Sequence, residues 1–191
     1  MPSPEPILRD VPERFESDRL TIRAPRPGDG IRLYEAVAES LADLRQFPAS
    51  MSWALSEQSI DSCEKYCREG YSNFLARRDL PLLLILRGTD VIVGSSGLNR
   101  FDWSVPKFEV GFWGRSSFHR KGLITEGVGA IVDVAFSVLG ARRVEALPDD
   151  ANTRSCRVCE RLGFTLEGIL RNERSDPDGT LRNTRIYARI Q

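Results

Sequence analysis

The residues best suited to chemistry in this 191-residue chain fall between positions 109 and 173. Glu109 sits inside an apolar run, Phe108 to Trp113. The basic turn Arg115-Ser-Ser-Phe-His-Arg-Lys-Gly122 follows, and then Leu123-Ile-Thr-Glu-Gly opens an apolar-periodic stretch ending at Leu139. A strand, a basic glycine-containing turn and a helix can build an anion site. The N–H groups at a helix start have no intrahelical partner and carry partial positive charge. Arg115, His119, Arg120 and Lys121 add side-chain donors, and Gly122 lets a backbone approach a ligand closely. An ordinary strand-to-helix connection with a solvated basic surface accounts for the same residues, and the turn alone leaves both readings open. Farther along, Asn152 and Ser155 suit the start of a short helix as caps. Ser155 also brings a hydroxyl able to donate and accept.

The elements that must position these groups follow from periodicity. Arg19 to Arg23 alternates as a half-buried strand. Pro25, Pro27, Gly28 and Asp29 form a turn, and Ile31, Leu33, Tyr34, Val37, Ala38 and Leu41 recur at helical spacing. A loop from Gln46 to Trp53 precedes a second helix that opens near Ser56–Ser59 and runs to about Arg77. Leu82–Leu86 and Val91–Gly94 flank the turn Arg87-Gly-Thr-Asp as a hairpin, and Val105–Trp113 is the next strand. Ala141–Leu147, a strand from Gly163 and a last strand near Arg185–Ile190 alternate with a short helix, Asn152–Leu162. The predicted order is β α α β β β α β α β β, an α/β (α+β) domain with a mixed sheet of about seven strands and four helices. Residues 1–14, with three early prolines, read as an extended arm, and 15–191 as one domain.

Composition narrows the function classes. Lys plus Arg equals Asp plus Glu at 27 each, which gives no global electrostatic case for nucleic-acid or membrane binding. No apolar run approaches the ~20 residues needed to span a bilayer, and the start lacks the pattern of a signal peptide, so a cytoplasmic protein is expected. A single histidine, His119, excludes multi-histidine metal sites. Cys63/Cys67 and Cys156/Cys159 fall in helical segments, where small buried packing residues are expected rather than a metal. Gly94-Ser-Ser-Gly97 is not a nucleophile elbow, because Leu98 stands at the fifth position.

Four segments in order carry a resemblance to a known family. They are Arg19-Leu-Thr-Ile-Arg-Ala-Pro, Phe108-Glu-Val-Gly-Phe-Trp, His119-Arg-Lys-Gly-Leu-Ile-Thr-Glu-Gly, and Asp150-Ala-Asn-Thr-Arg-Ser continuing to Arg157-Val-Cys-Glu-Arg-Leu-Gly-Phe. Together they resemble the GNAT superfamily of acetyl-CoA-dependent N-acetyltransferases, and within it the RimJ/RimL-like enzymes that acetylate ribosomal-protein serine or alanine. The resemblance spans roughly residues 15 to 190. Two positions depart from the family's Q/R-x-x-G-x-G/A loop: His119 replaces Gln or Arg, and Ile124 replaces a small residue whose place its bulk is set to crowd.

The resemblance implies acetyl-CoA as cosubstrate, with no metal, lying where the Phe108–Trp113 and Arg142–Leu147 strands splay apart. It implies that the backbone at Phe112 and Trp113 pairs with the pantetheine arm. The N–H groups of Arg120, Lys121, Gly122, Leu123, Ile124 and Thr125 hold the pyrophosphate, His119 is a further cofactor-binding residue of the same loop, and Asn152 bonds the pantetheine. Ser155 matches the position that protonates the departing thiolate. Glu109 and Glu173 are both candidates for the base, although simple counting puts Arg174 at the position the family fills with an acid. The alternative on the same fold is a non-catalytic CoA-binding regulatory module.

The acceptor is expected to be a primary amine on a protein N-terminus, a peptide or a small molecule, and the protein a monomer or homodimer. Deprotonating a lysine at pH 7 costs about 4.6 kcal/mol, an α-amine only ~1–1.4 kcal/mol, so an α-amine needs only a modest base. Phe47, Trp53, Phe101 and Trp103 offer an aromatic acceptor surface.

Overall fold

Leu80–Leu86 is apolar on both faces, and in Leu20–Arg23 the polar Thr21 is buried beside Leu20 and Ile22, as strands must be when helices cover both sides of a sheet. The computed structural model describes residues 5–191 and places both inside an eight-stranded sheet. Its strands are β1 (Arg14–Glu16), β2 (Leu20–Arg23), β3 (Leu80–Leu86), β4 (Ile92–Asp102), β5 (Lys107–Gly114), β6 (Arg143–Ala146), β7 (Thr165–Ser175) and β8 (Leu181–Ile190). They lie in the order β1-β2-β3-β4-β5-β6-β8-β7. Every neighbouring pair is antiparallel except β5 and β6. The expectation of about seven strands omits β1, three residues on the sheet edge with too little burial to show a period. The boundary drawn after residue 14 falls inside that strand, and residues 1–4 of the expected arm lie outside the described residues.

Helices α1 (Gly30–Leu44) and α2 (Ile60–Leu75) cover one face of the sheet, while α3 (Leu123–Ser137) and α4 (Thr153–Arg161) cover the other. On the first face Leu33, Ala36 and Val37 of α1 meet Cys63 and Cys67 of α2 over Leu83, Ile85 and Ile92. On the second, Leu123, Val128 and Ile131 of α3 and Cys156 and Cys159 of α4 pack on Leu84, Phe108 and Val110. The four cysteines are therefore core residues, and burial pushes the Cys67 and Cys159 thiols up to about 12.

Phe101 and Trp103 also belong to the second core. Their rings stand edge-on to Phe108 at 5.1 Å each, so they pack on the core and do not form the aromatic acceptor surface expected of them. Phe47 lies under the Arg182 guanidinium, 6.0 Å from it.

Candidate active site

The parallel pairing of β5 with β6 lasts only from Lys107↔Arg143 to Glu109↔Glu145. Past that point β5 continues to Gly114 alone on this side, still paired with β4 on the other. Hydrogen-bonding direction alternates along an antiparallel strand. Because the Arg115 N–H bonds the Val93 carbonyl, Trp113 and Gly111 also point toward β4. Val110, Phe112 and Gly114 therefore turn their polar backbone groups into the gap. This corrects the expectation for Trp113, whose backbone faces β4. Its side chain instead lines the opposite face of the sheet.

The basic turn follows directly on the unpaired end of β5. It is tied to α1: Arg115 Nε bonds Glu39 at 2.6 Å, the Ser117 N–H bonds the same carboxylate, and Ser116 Oγ donates to Asp43 at 2.6 Å. That Ser116 hydrogen bond, aided by Arg154, holds the Asp43 carboxyl below its ordinary value. His119 folds back, its Nε2 lying 2.9 Å from the Gly114 carbonyl. With Nε2 protonated, that contact is a donated hydrogen bond that closes one end of the gap.

Arg120 and Gly122 then take left-handed conformations, φ 62° and 77°, a geometry that gathers successive N–H groups into an anion cradle. The first helical bond of α3 is from Glu126 N–H to the Gly122 carbonyl. Among the described residues, the N–H groups from Arg120 to Thr125 have no acceptor within the chain. Arg19 holds this loop from outside. It pairs with Glu126 at 2.7 Å and donates to the Lys121 carbonyl at 3.0 Å.

Ile124 does not crowd the cradle. A Cβ on Gly94 or on Gly114 would lie 2.8 Å from Ile124 side-chain carbons, so these two glycines form a notch that its side chain fills. The large residue in the loop is matched by two residues without side chains in the sheet beneath it.

Across the gap, α4 is capped by Asn152, whose Oδ1 accepts from the Ser155 N–H at 3.1 Å. Arg154 reaches from α4 to Asp43 at 3.0 Å and comes within 3.4 Å of His119 Nδ1. The start of α4, with half-buried Ser155, thus faces the turn that follows β5.

The other face of β5 carries a cavity of about 640 Å³ between the sheet and the α1–α2 layer. Glu109, Gly111 and Trp113 form its floor with Ser95, Gly97 and Asn99, their partners on β4. Burial pushes the Glu109 carboxyl above its ordinary value, and this outweighs the opposing pull of Arg100, 3.1 Å away, and of Arg174. The Glu173 carboxylate lies elsewhere. It accepts from Thr184 Oγ1 at 2.7 Å and pairs with Arg174 on exposed strand β7. Arg174 is the residue that reaches the cavity rim, donating to Ser50 Oγ at 3.0 Å. The structure therefore places Glu109, not Glu173, at the cavity.

Trp53 stands on a short turn, Ser52–Leu55, with its ring 6.1 Å from that of Trp113. Sequence reasoning missed Tyr66, Asn99 and Gly111 as lining residues. They meet only through the α2 register and the β4–β5 pairing, which leave no local signal.

Comparison with known proteins accords with this layout. Residues 19–165 match the acetyltransferase (GNAT) domain family. An uncharacterized N-acetyltransferase, p20 of Bacillus licheniformis, is 32% identical over 89 residues, 47% of this chain and half the length of that relative. The ribosomal-protein-serine acetyltransferase of Escherichia coli K12 is 24% identical over 174 residues, 91% of this chain and 94% of that one. The microcin C7 self-immunity acetyltransferase MccE, solved in complex with acetyl-CoA and AMP, superposes with a TM-score of 0.83 at 21% identity, covering 95% of this chain and 98% of that one. A backbone cradle at the start of α3, an open strand edge beside it and a match over three quarters of the sequence lead to one assignment: the chain belongs to the GNAT acetyltransferase family.

Proposed function

We propose that the chain transfers the acetyl group of acetyl-CoA to a primary amine entering the cavity over Glu109. The observation that carries this reading is the double use of β5: its free edge faces the gap, and its Glu109 face lines the cavity. The residues present fit the cosubstrate. An open strand edge suits the amides of an extended arm, and the N–H groups of 120–125 suit its phosphates. Acetyl-CoA supplies the activated thioester.

The residues of the chain then have distinct roles. The Phe112 N–H, on the gap side, polarises the acetyl carbonyl. Glu109, kept partly desolvated, accepts the proton of the attacking amine directly or through a water. Ser155 at the start of α4 donates a proton to the departing thiolate. Asn152 orients that helix start through its cap and has its side-chain N–H₂ left to donate. Glu173 has no role in this scheme. Packing of Ile124 into its glycine notch speaks against a non-catalytic module at one of the two positions, His119 and Ile124, where the loop departs from the family pattern. The name of the E. coli relative puts a ribosomal-protein serine terminus among the acceptors to test.

Free thiol release from acetyl-CoA, followed with and without a panel of amines, tests the reading. Amine-dependent release is expected. Saturable CoA binding with no release from any amine would contradict it.

A further inference from the structure

Resting on that reading, we infer that the cavity over Glu109 selects a primary amine carried on an apolar, uncharged substituent. Its size, about 640 Å³, lies within the range of small-ligand sites. The α1 side contributes Leu33 and Val37, and the following turn contributes Met51 and Trp53, opposite Trp113. The polar atoms of the floor are largely committed to the sheet. Ser95 Oγ donates to the Leu82 carbonyl at 2.9 Å and Ser96 Oγ to the Gly111 carbonyl at 2.8 Å. On the floor this leaves the Asn99 amide and the Glu109 carboxylate, the latter shared with Arg100; Tyr66 is engaged with Ser95, and the other polar lining groups, Ser50, Ser56, Glu57, Gln58 and Ser62, come from the loop before α2 and its first turn.

No Lys or Arg lines the cavity, and its charged lining residues are Glu57 and Glu109. The nearest guanidiniums are already paired, Arg100 with Glu109 and Arg174 with Glu173. A carboxylate or phosphate on the acceptor would have to displace one of those pairs. An ammonium, by contrast, meets the carboxylates of Glu109 and Glu57 in a cavity also lined by Trp53 and Trp113, whose rings attract a cation. The floor is also deep at one point. A Cβ on Gly111 would have only Asn99 Nδ2 within 4 Å, at 3.7 Å, so the missing side chain is room given to the ligand.

The chemistry is shared by a small arylalkylamine and by a peptide whose first residue is apolar. The test compares 2-phenylethylamine with ethanolamine, of comparable basicity, and short peptides beginning with Phe, Ser or Asp, using the full chain and acetyl-CoA. Filling an apolar pocket with even one methylene discriminates ~10–200-fold. We therefore expect kcat/KM to favour 2-phenylethylamine over ethanolamine, or Phe-peptide over Asp-peptide, by about 10-fold or more. Preference for the small amine or for the peptide identifies the source.

Equal efficiencies, or a preference for the Asp-peptide, would overturn the inference. If no amine is acetylated, tryptophan emission decides. A saturable change with 2-phenylethylamine that is absent with ethanolamine and lost in Trp53→Phe upholds the binding preference while the transfer reading falls. No saturable change overturns both.

Discussion

The two sides of β5 are built from different materials. Toward the gap, the groups on offer are backbone: the Phe112 edge, the N–H groups of 120–125 and a loop shape enforced by Gly122, Arg19 and the Ile124 notch. Toward the cavity they are largely side chains, drawn from α1, the loop between α1 and α2, α2, β3, β4 and β5. A backbone-built site is indifferent to many substitutions and suits a cosubstrate that never changes. A site built of side chains can be retuned residue by residue, which suits an acceptor that differs among relatives.

The sharpest probe of the division is Ser155, which belongs to the gap side but acts through its side chain. Ser155→Ala is expected to lower kcat by about 100-fold, as loss of a general acid does, with acetyl-CoA affinity unchanged in a direct binding titration. A loss of affinity without loss of kcat would make Ser155 only part of the cradle.

Glu109→Gln is expected to reduce kcat/KM by roughly 10-fold or more and to change its pH profile. Burial raises the Glu109 pKa, so the wild-type acid limb lies above the ordinary carboxylate value of 4.5, and the variant should lose that limb. The sign for stability follows. A carboxyl whose pKa is raised by folding contributes stability that is present below its unfolded pKa and lost as pH rises through the folded one. Glu109→Gln should therefore be more stable than the parent at neutral pH, measured by denaturant midpoint. A wild-type acid limb at or below 4.5 would break the assignment of Glu109 as a desolvated base.

The notch beneath Ile124 tests the backbone side through packing. Gly114→Ala is expected to cost about 1–3 kcal/mol by overpacking and to weaken acetyl-CoA binding by shifting the loop. Ile124→Ala in the same chain should restore most of both, since the clashing atom is the Ile124 Cγ1. Additive losses in the double variant would deny the complementarity.

The smallest effect separates capping from ligand binding at Asn152. Asn152→Asp keeps an oxygen to cap the Ser155 N–H but removes the amide donor. It should leave the melting temperature nearly unchanged and weaken acetyl-CoA about 2- to 10-fold, as expected for one hydrogen bond. Asn152→Ala should lose about 1 kcal/mol of stability as well.

Legibility in the sequence followed the same division. The turn, the start of α3 and the Asn152 cap are contiguous segments whose chemistry and conformation are local, so they could be read directly. The edge that Trp113 faces is not legible in the sequence, because it depends on register with β4, fixed here by the Arg115–Val93 bond. Phe101 and Trp103 pack over Phe108 instead of facing an acceptor because β4 runs on to Asp102, a length that the run Val91–Gly94 does not announce. Register likewise decides between Glu173 and Arg174, since β7 shifts register between Leu170 and Arg174. The cavity itself needed six separate segments to meet, Pro81 of β3 included, and had no sequence signature beyond Glu109 and Trp53.

The central claim is that one strand serves the cosubstrate with its edge and the acceptor with its face. Gly111→Ala tests it most directly, because the added methyl points from the face into open cavity and clashes with nothing. Steady-state kinetics with both substrates varied should show a raised KM for the amine and an unchanged KM for acetyl-CoA. A raised KM for acetyl-CoA with the amine unaffected would contradict the account.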